Sequence, residues 1–81
     1  MSLPTPEELS TWIAAAITCN ELRVAGDGRH FEALIVSEAF TGLSKVRRHQ
    51  LVYQALGNRM VADIHALSMR TLTPEEYTSQ E

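Results

Sequence analysis

A glycine turn followed by a wholly apolar run constrains this chain more than any other feature. Residues 26–28 (Gly-Asp-Gly) accept the positive φ angles of a tight β-hairpin turn. Leu22 and Val24 alternate with charged residues before the turn, and residues 33–36 (Ala-Leu-Ile-Val) follow it with apolar side chains at both parities. Such a strand is covered on both faces, or on one face with a neighbouring strand alongside. The sequence therefore predicts a hairpin whose second strand, residues 31–37, is the central strand of a sheet.

The same four letters predict the start of two helices. Thr-Pro-Glu-Glu occurs at residues 5–8 and again at 73–76. It combines a threonine N-cap, a proline at the first helical position and a glutamate that can accept from the N–H of the cap. The first helix should end near Cys19-Asn20, and the second should be short and run through Tyr77. The apolar stripe predicted for the first helix is Leu9, Trp12, Ile13, Ala16 and Ile17.

A third helix is predicted from an N-cap at Ser44 to about Leu56, where Gly57-Asn58 ends it. Its apolar positions are expected to face inward, and its basic positions are expected to face solvent. Another helical turn at residues 59–62 and a strand at residues 64–72 should follow. The inward set is Val46, Val52, Tyr53 and Leu56, and the solvent set is Lys45, Arg47 and Arg48.

The predicted order of elements is α-β-β-α-α-β-α. Because a helical crossover joins the second strand to the third, those two strands should be parallel, whereas the hairpin strands are antiparallel. The expected architecture is a single α+β domain over residues 1–81, with a three-stranded mixed sheet and its helices on one face. At 81 residues the chain has room for one small core.

Composition narrows the class of protein. Seven Lys and Arg oppose ten Asp and Glu, so the net charge of −3 disfavours binding to a polyanion, although Lys45, Arg47 and Arg48 form a local basic group. The lone cysteine, Cys19, has no partner for an internal disulfide. The first residues lack the pattern of a signal peptide and no apolar run approaches about 20 residues, which predicts a cytoplasmic protein without a membrane segment.

Catalytic signatures are missing from the sequence. No P-loop, Gly-x-Gly-x-x-Gly, candidate triad or paired acidic constellation of a catalytic site occurs, and the serines lack a nucleophile motif. The chain is therefore predicted not to be an enzyme. Of the three histidines, His49 is interpreted as a partly buried helix residue, which leaves two candidate ligands, His30 at the exit of the hairpin turn and His65 in the third strand. On their own they are a weak metal signal, since a protein metal site normally has three or four ligands, and the residues alone favour an exposed turn residue and a strand residue.

Several motifs together resemble the BolA family, and most closely its short-turn, IbaG-type bacterial branch. They are Gly-Asp-Gly-Arg-His-Phe at 26–31, Val-Arg-Arg-His-Gln-Leu-Val-Tyr at 46–53, Ile-His-Ala-Leu-Ser at 64–68 and the cap at 73–76. The resemblance covers nearly the whole chain and implies a class II KH-like fold. It departs from members that have a long hairpin loop with an extra histidine.

The resemblance implies non-enzymatic work in iron–sulfur trafficking or iron sensing. Its members pair with a monothiol (CGFS-type) glutaredoxin as a heterodimer around a [2Fe-2S] cluster that is shared with glutathione, so no cluster is expected in the isolated chain. The C-terminal ligand of the family falls on His65, and the hairpin ligand falls on His30.

A DNA-binding stress regulator is the alternative function, because other members are described as acting through their helix-turn-helix region. Lys45, Arg47, Arg48 and Arg59 could then contact phosphates, or they could dock an acidic glutaredoxin, or form a solvated helix face. The segment Gly57-Asn58-Arg59-Met60 lacks the second glycine of the KH loop that clamps RNA. A homodimer of the isolated chain also stays open.

Overall fold

The computed structural model describes residues 4–58 and 66–79. The predicted order of elements is confirmed within those ranges. The predicted helical turn at residues 59–62 and the first residues of the predicted third strand lie outside them. The elements are α1 (Pro6–Ala16), β1 (Glu21–Gly26), β2 (His30–Val36), a 3₁₀ turn (Glu38–Phe40), α2 (Lys45–Leu56), β3 (Ala66–Leu72) and α3 (Pro74–Ser79).

The described strands form one mixed sheet in the order β1-β2-β3. β1 pairs with β2 in antiparallel orientation, and β2 pairs with β3 in parallel orientation. The direction of each pair follows from its connection, because a short turn reverses the chain whereas a helical crossover restores its direction. The mixed sheet and the central position of β2 are both confirmed.

One face of the sheet is covered by α1 and α2. Alternate residues of β2, Phe31, Ala33 and Ile35, are buried, and Leu34 between them is half-buried. The apolar run therefore has one covered face and a neighbouring strand on each side, which is the second of the two arrangements that its pattern allowed. The residues that pack with this face are Leu9, Ile13 and Ile17 of α1, Phe40 of the 3₁₀ turn, and Val52 and Leu56 of α2.

α1 begins as predicted and ends earlier than predicted. The Thr5 hydroxyl accepts from the N–H of Glu8, and the Glu8 carboxylate accepts from the N–H of Thr5, which completes a capping box. The helix ends at Ala16 because Ile17 is already extended. Ala16 is exposed, so the buried stripe is narrower than its apolar letters suggested.

α2 begins and ends where predicted, but it buries a different face. Its N-cap is Ser44, and Gly57 at its C-terminus has a φ of 60°. Val46 is 66% exposed and Tyr53 is 41% exposed, so the prediction that they face inward is wrong. The buried row is instead Arg48, Val52 and Leu56, which are spaced by four residues.

Candidate metal centre at the hairpin end of the sheet

The turn between β1 and β2 holds the backbone around His30. Gly28 adopts a φ of 96°, which glycine tolerates without strain. The Asp27 carboxylate accepts from the backbone N–H groups of His30 at 2.9 Å and Arg29 at 3.0 Å. These bonds, led by the one from His30, lower the pKa of Asp27 below its usual value. Asp27, predicted only as a turn residue, therefore fixes the start of β2.

Gly26 is required by close approach rather than by its φ angle. A Cβ added there would lie 2.5 Å from the carbonyl oxygen of His30 and 2.6 Å from Cδ1 of Phe31. Both distances are well inside van der Waals contact, so any larger residue would push the start of β2 away from β1. The glycine thus contributes directly to the position of His30.

The His30 side chain is exposed at the first position of β2. Its backbone groups are hydrogen-bonded within the turn: its N–H donates to the Asp27 carboxylate, and its carbonyl oxygen accepts from the N–H of Asp27 at 3.2 Å. Within the described part of the chain, no hydrogen bond involves its imidazole. The exposed imidazole is therefore not held by any described residue.

β3 enters the sheet beside His30. Ala66, its first residue, pairs with His30 in the register of the two strands, and the N–H of Ala66 donates to the carbonyl oxygen of Arg29 at 3.2 Å. We call residues 26–31 together with Ala66 the hairpin end of the sheet. His65, the second predicted ligand, lies outside the described residues, and its placement stays a prediction.

The hairpin end provides part of a coordination sphere. In residues 4–58 and 66–79, no group of three or more His, Cys, Asp or Glu side chains could hold a metal ion. Cys19 lies at the far end of the sheet, since the next residue, Asn20, donates its N–H to the carbonyl oxygen of Val36. Burial also raises the pKa of the Cys19 thiol, which disfavours the thiolate that metals bind. Further ligands would have to come from another molecule.

The structure describes three of the four predicted basic residues, and these three differ in solvent exposure. Lys45 and Arg47 are exposed in the first turn of α2, whereas Arg48 is only 8% exposed. The expectation that Arg48 lies in solvent is therefore wrong. Arg59 lies outside the described residues.

Arg48 joins three segments of the chain. Its Nε donates to the carbonyl oxygen of Leu43 at 2.9 Å, and its Nη1 donates to that of Thr71 at 3.0 Å. Nη1 and Nη2 also bind the Glu76 carboxylate in a two-pronged ion pair, at 2.6 and 3.2 Å. With every nitrogen engaged, Arg48 is a structural residue and contributes no free charge to a binding face.

Glu76 is the partner that sequence reasoning missed. Its carboxylate accepts from Arg48 and also from the backbone N–H of Thr73 at 2.8 Å. The bond from Arg48 and, after it, the bond from Thr73 lower the pKa of Glu76 to about 2. The capping letters had indicated the bond to Thr73, but no local signal indicates a partner 28 positions earlier in the chain.

Lys45 and Arg47 lie at the opposite end of the sheet from His30. Arg48 in the first turn of α2 contacts Thr71, whereas His30 pairs with Ala66. At about 3.3 Å per residue, those two positions of β3 are about 17 Å apart. The structure therefore does not bring Lys45 and Arg47 to the candidate metal centre.

None of the helices that the structure describes has the length and apolar character needed to cross a membrane.

Comparisons with known proteins identify relatives along most of the chain. A family model described as "BolA-like protein" matches residues 14–76. The chain is 39% identical over 72 residues to "Acid stress protein IbaG" of Escherichia coli (strain K12), covering 86% of this chain and 84% of that one. It is 44% identical over 55 residues to "DNA-binding transcriptional regulator BolA" of Haemophilus influenzae, covering 68% of this chain and 53% of that one.

A solved structure has the same fold. The structure of a bolA protein homologue from Coxiella burnetii matches with a TM-score of 0.80 and 44% identity, covering 94% of this chain and 99% of that one. The names of these relatives denote a stress protein and a regulator rather than an enzyme.

Proposed function

The chain belongs to the BolA-like family, and from that premise we propose that it is the non-enzymatic partner of a monothiol, CGFS-type glutaredoxin, with which it shares a [2Fe-2S] cluster. The work of such a pair is iron–sulfur trafficking or iron sensing. His30 and His65 are the ligands that this chain contributes.

The observation that carries the proposal is the position of His30. Its backbone is fixed by Asp27 while its imidazole is exposed and free of hydrogen bonds to the described residues. Ala66 lies directly across from it, and the preceding residue in the sequence is His65. The strand register and one peptide bond thus connect the two predicted ligands.

The donor set fits a shared cluster better than a private metal site. Imidazole binds iron, but a [2Fe-2S] cluster needs four protein or thiol ligands, and Cys19 lies at the opposite end of the sheet. Thiolates from the glutaredoxin and from glutathione would complete the set. Replacing cysteine by histidine on one iron raises the reduction potential of a [2Fe-2S] centre, as in Rieske proteins.

Histidine ligation makes the shared site sensitive to acid. An imidazole binds metal only when the coordinating nitrogen carries no proton, and the pKa of an unperturbed histidine side chain is about 6.5. The complex should therefore lose its visible absorption as the pH falls from about 7.5 to about 5.5. Absorption that is unchanged over this interval would argue against imidazole ligands.

The test is co-expression with a CGFS glutaredoxin, followed by purification of the complex and measurement of its visible absorption, circular dichroism and iron content. His65→Ala and His30→Ala should each lower cluster retention and change the spectrum. His30→Cys should restore retention with a different spectrum, because a thiolate then replaces an imidazole. His49→Ala is the matched control, since His49 lies on α2.

Thermal unfolding of each variant separates loss of a ligand from loss of the fold. Exposed His30 should be replaceable with little change in melting temperature. If His65→Ala and His30→Ala both carry a cluster of unchanged absorption and stability, the assignment is wrong. A cluster on the isolated chain, without glutaredoxin and glutathione, would contradict the shared site.

DNA binding is the second candidate, and the exposed pair Lys45 and Arg47 favours it. Both lie in the first turn of α2, where cations are unfavourable for the helix dipole and therefore need another reason to be there. A relative of this chain carries the name of a DNA-binding transcriptional regulator. Arg48 is excluded from this role by its buried contacts.

Salt dependence distinguishes the two functions. Two phosphate contacts predict that the logarithm of duplex affinity falls with that of salt concentration with a slope of about −2. Lys45→Gln and Arg47→Gln should each flatten the slope by about one, and neither should affect the cluster. Duplex affinity that is independent of salt would count against this second candidate.

A further inference from the structure

β3 lies at one edge of the described sheet. The N–H of Ala66 donates to Arg29, and the carbonyl oxygen of Leu72 accepts from the N–H of Ser37, so both residues direct these groups toward β2. Backbone groups of a strand in a parallel pair alternate in direction from residue to residue. The N–H and carbonyl groups of Leu67, Met69 and Thr71 therefore point to the outer edge.

One acceptor on this outer edge already has a partner, because the carbonyl oxygen of Thr71 accepts from Arg48. Within residues 4–58 and 66–79, no strand pairs with the edge at Leu67 or Met69. Exposed edges of this kind are templates for pairing with another chain.

A basic groove runs beside the edge, between α2 and β3. Its volume is about 260 Å³, and its lining contains three basic side chains, one of them the His49 imidazole, and no carboxylate. Lys45 and His49 are four residues apart on α2, so both lie on the same side of that helix. The lining residues are Lys45, His49, Met69, Arg70, Thr71 and Leu72.

We propose that the outer edge of β3 accepts an extended, acidic segment of a partner protein, which adds a fourth strand to the sheet and places its carboxylates against Lys45 and His49. Main-chain hydrogen bonds to Leu67 and Met69 provide the pairing, and the basic groove selects acidic side chains. The groove lies beside α2, toward the end of β3 opposite to Ala66.

The lining decides between the possible occupants. Single-stranded nucleic acid would also contact Lys45, but it binds by stacking successive bases on aromatic side chains, and the only ring in this lining is the half-buried His49 imidazole. A second copy of the chain paired edge to edge would bring like charges together at the rim. An acidic peptide offers main-chain groups to Leu67 and Met69, with which no described strand pairs, and carboxylates to Lys45.

The test uses four designed hexapeptides and isothermal titration of the purified full chain. The first peptide alternates valine with glutamate, and the second alternates valine with lysine. The other two repeat the first with N-methyl groups on alternate backbone nitrogens, one in each of the two possible phases. The lysine peptide should bind about tenfold more weakly or worse because like charges repel. One phase of the methylated peptide should lose binding although its charge is unchanged.

Amide hydrogen exchange locates the contact. Bound acidic peptide should slow exchange at Leu67 and Met69, while Ala66 and Ser68, which face β2, should change little. Lys45→Glu should weaken binding about fivefold or more, and Arg47→Glu, an exposed change outside the groove lining, should have less effect.

Three results would overturn the proposal: equal affinity for the acidic and lysine peptides, no loss with either methylated phase, or slower exchange away from β3. Tighter binding of a six-nucleotide single strand than of the acidic peptide would assign the groove to nucleic acid. Dimers in sedimentation that dissociate with Met69→Pro, which removes an outward N–H, would assign the edge to a second copy.

Discussion

The chain uses the same four residues, Thr-Pro-Glu-Glu, to begin α1 and α3, and the two starts differ in the contacts that the capping glutamate makes beyond the cap. In each, the threonine hydroxyl accepts from the glutamate N–H and the glutamate carboxylate accepts from the threonine N–H. Within the described residues, Glu8 makes only these local hydrogen bonds. Glu76 also binds Arg48 through both carboxylate oxygens.

The comparison separates local from tertiary causes. Capping is a property of four consecutive residues, so identical letters give identical caps. Whether the capping glutamate also holds the fold together depends on what the rest of the chain brings to it. At α3 that is a guanidinium with 9% of its side chain exposed, and at α1 there is no ion-pair partner in the described structure.

Removal of Arg48 should have the largest effect on this contrast. Arg48→Met keeps an apolar stem of similar length but removes the nitrogens that donate to the carbonyl oxygens of Leu43 and Thr71 and to the Glu76 carboxylate. An unsatisfied buried acceptor costs about 1–3 kcal/mol, so the free energy of unfolding should fall by at least that much. Urea unfolding measures the loss.

Two matched variants sharpen the Arg48 experiment. Arg47→Met changes the exposed neighbour and should alter the free energy of unfolding by about 0.5 kcal/mol or less. Arg48→Lys keeps the charge but not the planar fork, so it should recover only part of the loss. Equal stability of Arg48→Met and wild type would mean that the ion pair does not hold α3.

The next largest effect should come from the two glutamates. Glu76→Gln and Glu8→Gln both keep an oxygen that can complete the capping box, and both remove a charge from the first turn of a helix. Only Glu76→Gln also leaves the buried Arg48 charge without its partner. Its melting temperature should therefore fall well below that of Glu8→Gln, as measured by circular dichroism.

α2 shows which features could be predicted from the sequence and which could not. Its bounds, from the N-cap at Ser44 to the break at Gly57, were predictable because caps and glycine breaks are local. Its buried face was not, because Val46 and Tyr53 are apolar and exposed while Arg48 is charged and buried. Arg48 is buried through acceptors 23 and 28 residues later in the chain, and no spacing within the helix encodes them.

The candidate site shows the same division. The tight turn and the place of His30 at its exit follow from the Gly-Asp-Gly letters and were predicted. The hydrogen bonds from Arg29 and His30 to Asp27, and the close approach at Gly26, could not be predicted from the sequence. Nor could the separation of His30 from Lys45 and Arg47, because the path of the crossover decides which end of the sheet each residue reaches.

Acid should weaken the contrast between the two glutamates. The pKa of Glu76 is lowered to about 2 in the folded protein from an ordinary value of 4.5. A carboxylate whose folded pKa is depressed contributes stability that is complete above the unfolded pKa and is lost as pH falls toward the folded one. The difference in stability between wild type and Glu76→Gln should thus be constant above about pH 5 and shrink below pH 4.5.

Urea titrations between pH 2.5 and 7 measure this difference directly, and Glu8→Gln run in parallel removes effects that any first-turn carboxylate would have. A difference that grows as the pH falls would have the wrong sign for an ion pair. It would show that Glu76 acts in its protonated form.

The threonines should give the smallest effect and the closest agreement between the two starts. Thr5→Ala and Thr73→Ala each remove a hydroxyl that accepts from a helix N–H, at 3.1 and 3.2 Å, and such changes cost about 1 kcal/mol. Since Thr73 is buried and Thr5 is exposed, the methyl group must be separated from the hydroxyl by measuring Thr→Ser at both positions. The difference between Ser and Ala should then be alike at the two positions, because it reports the cap alone. If it differed more between the positions than the two glutamate variants do, the distinction between caps and tertiary contacts would be wrong for this chain.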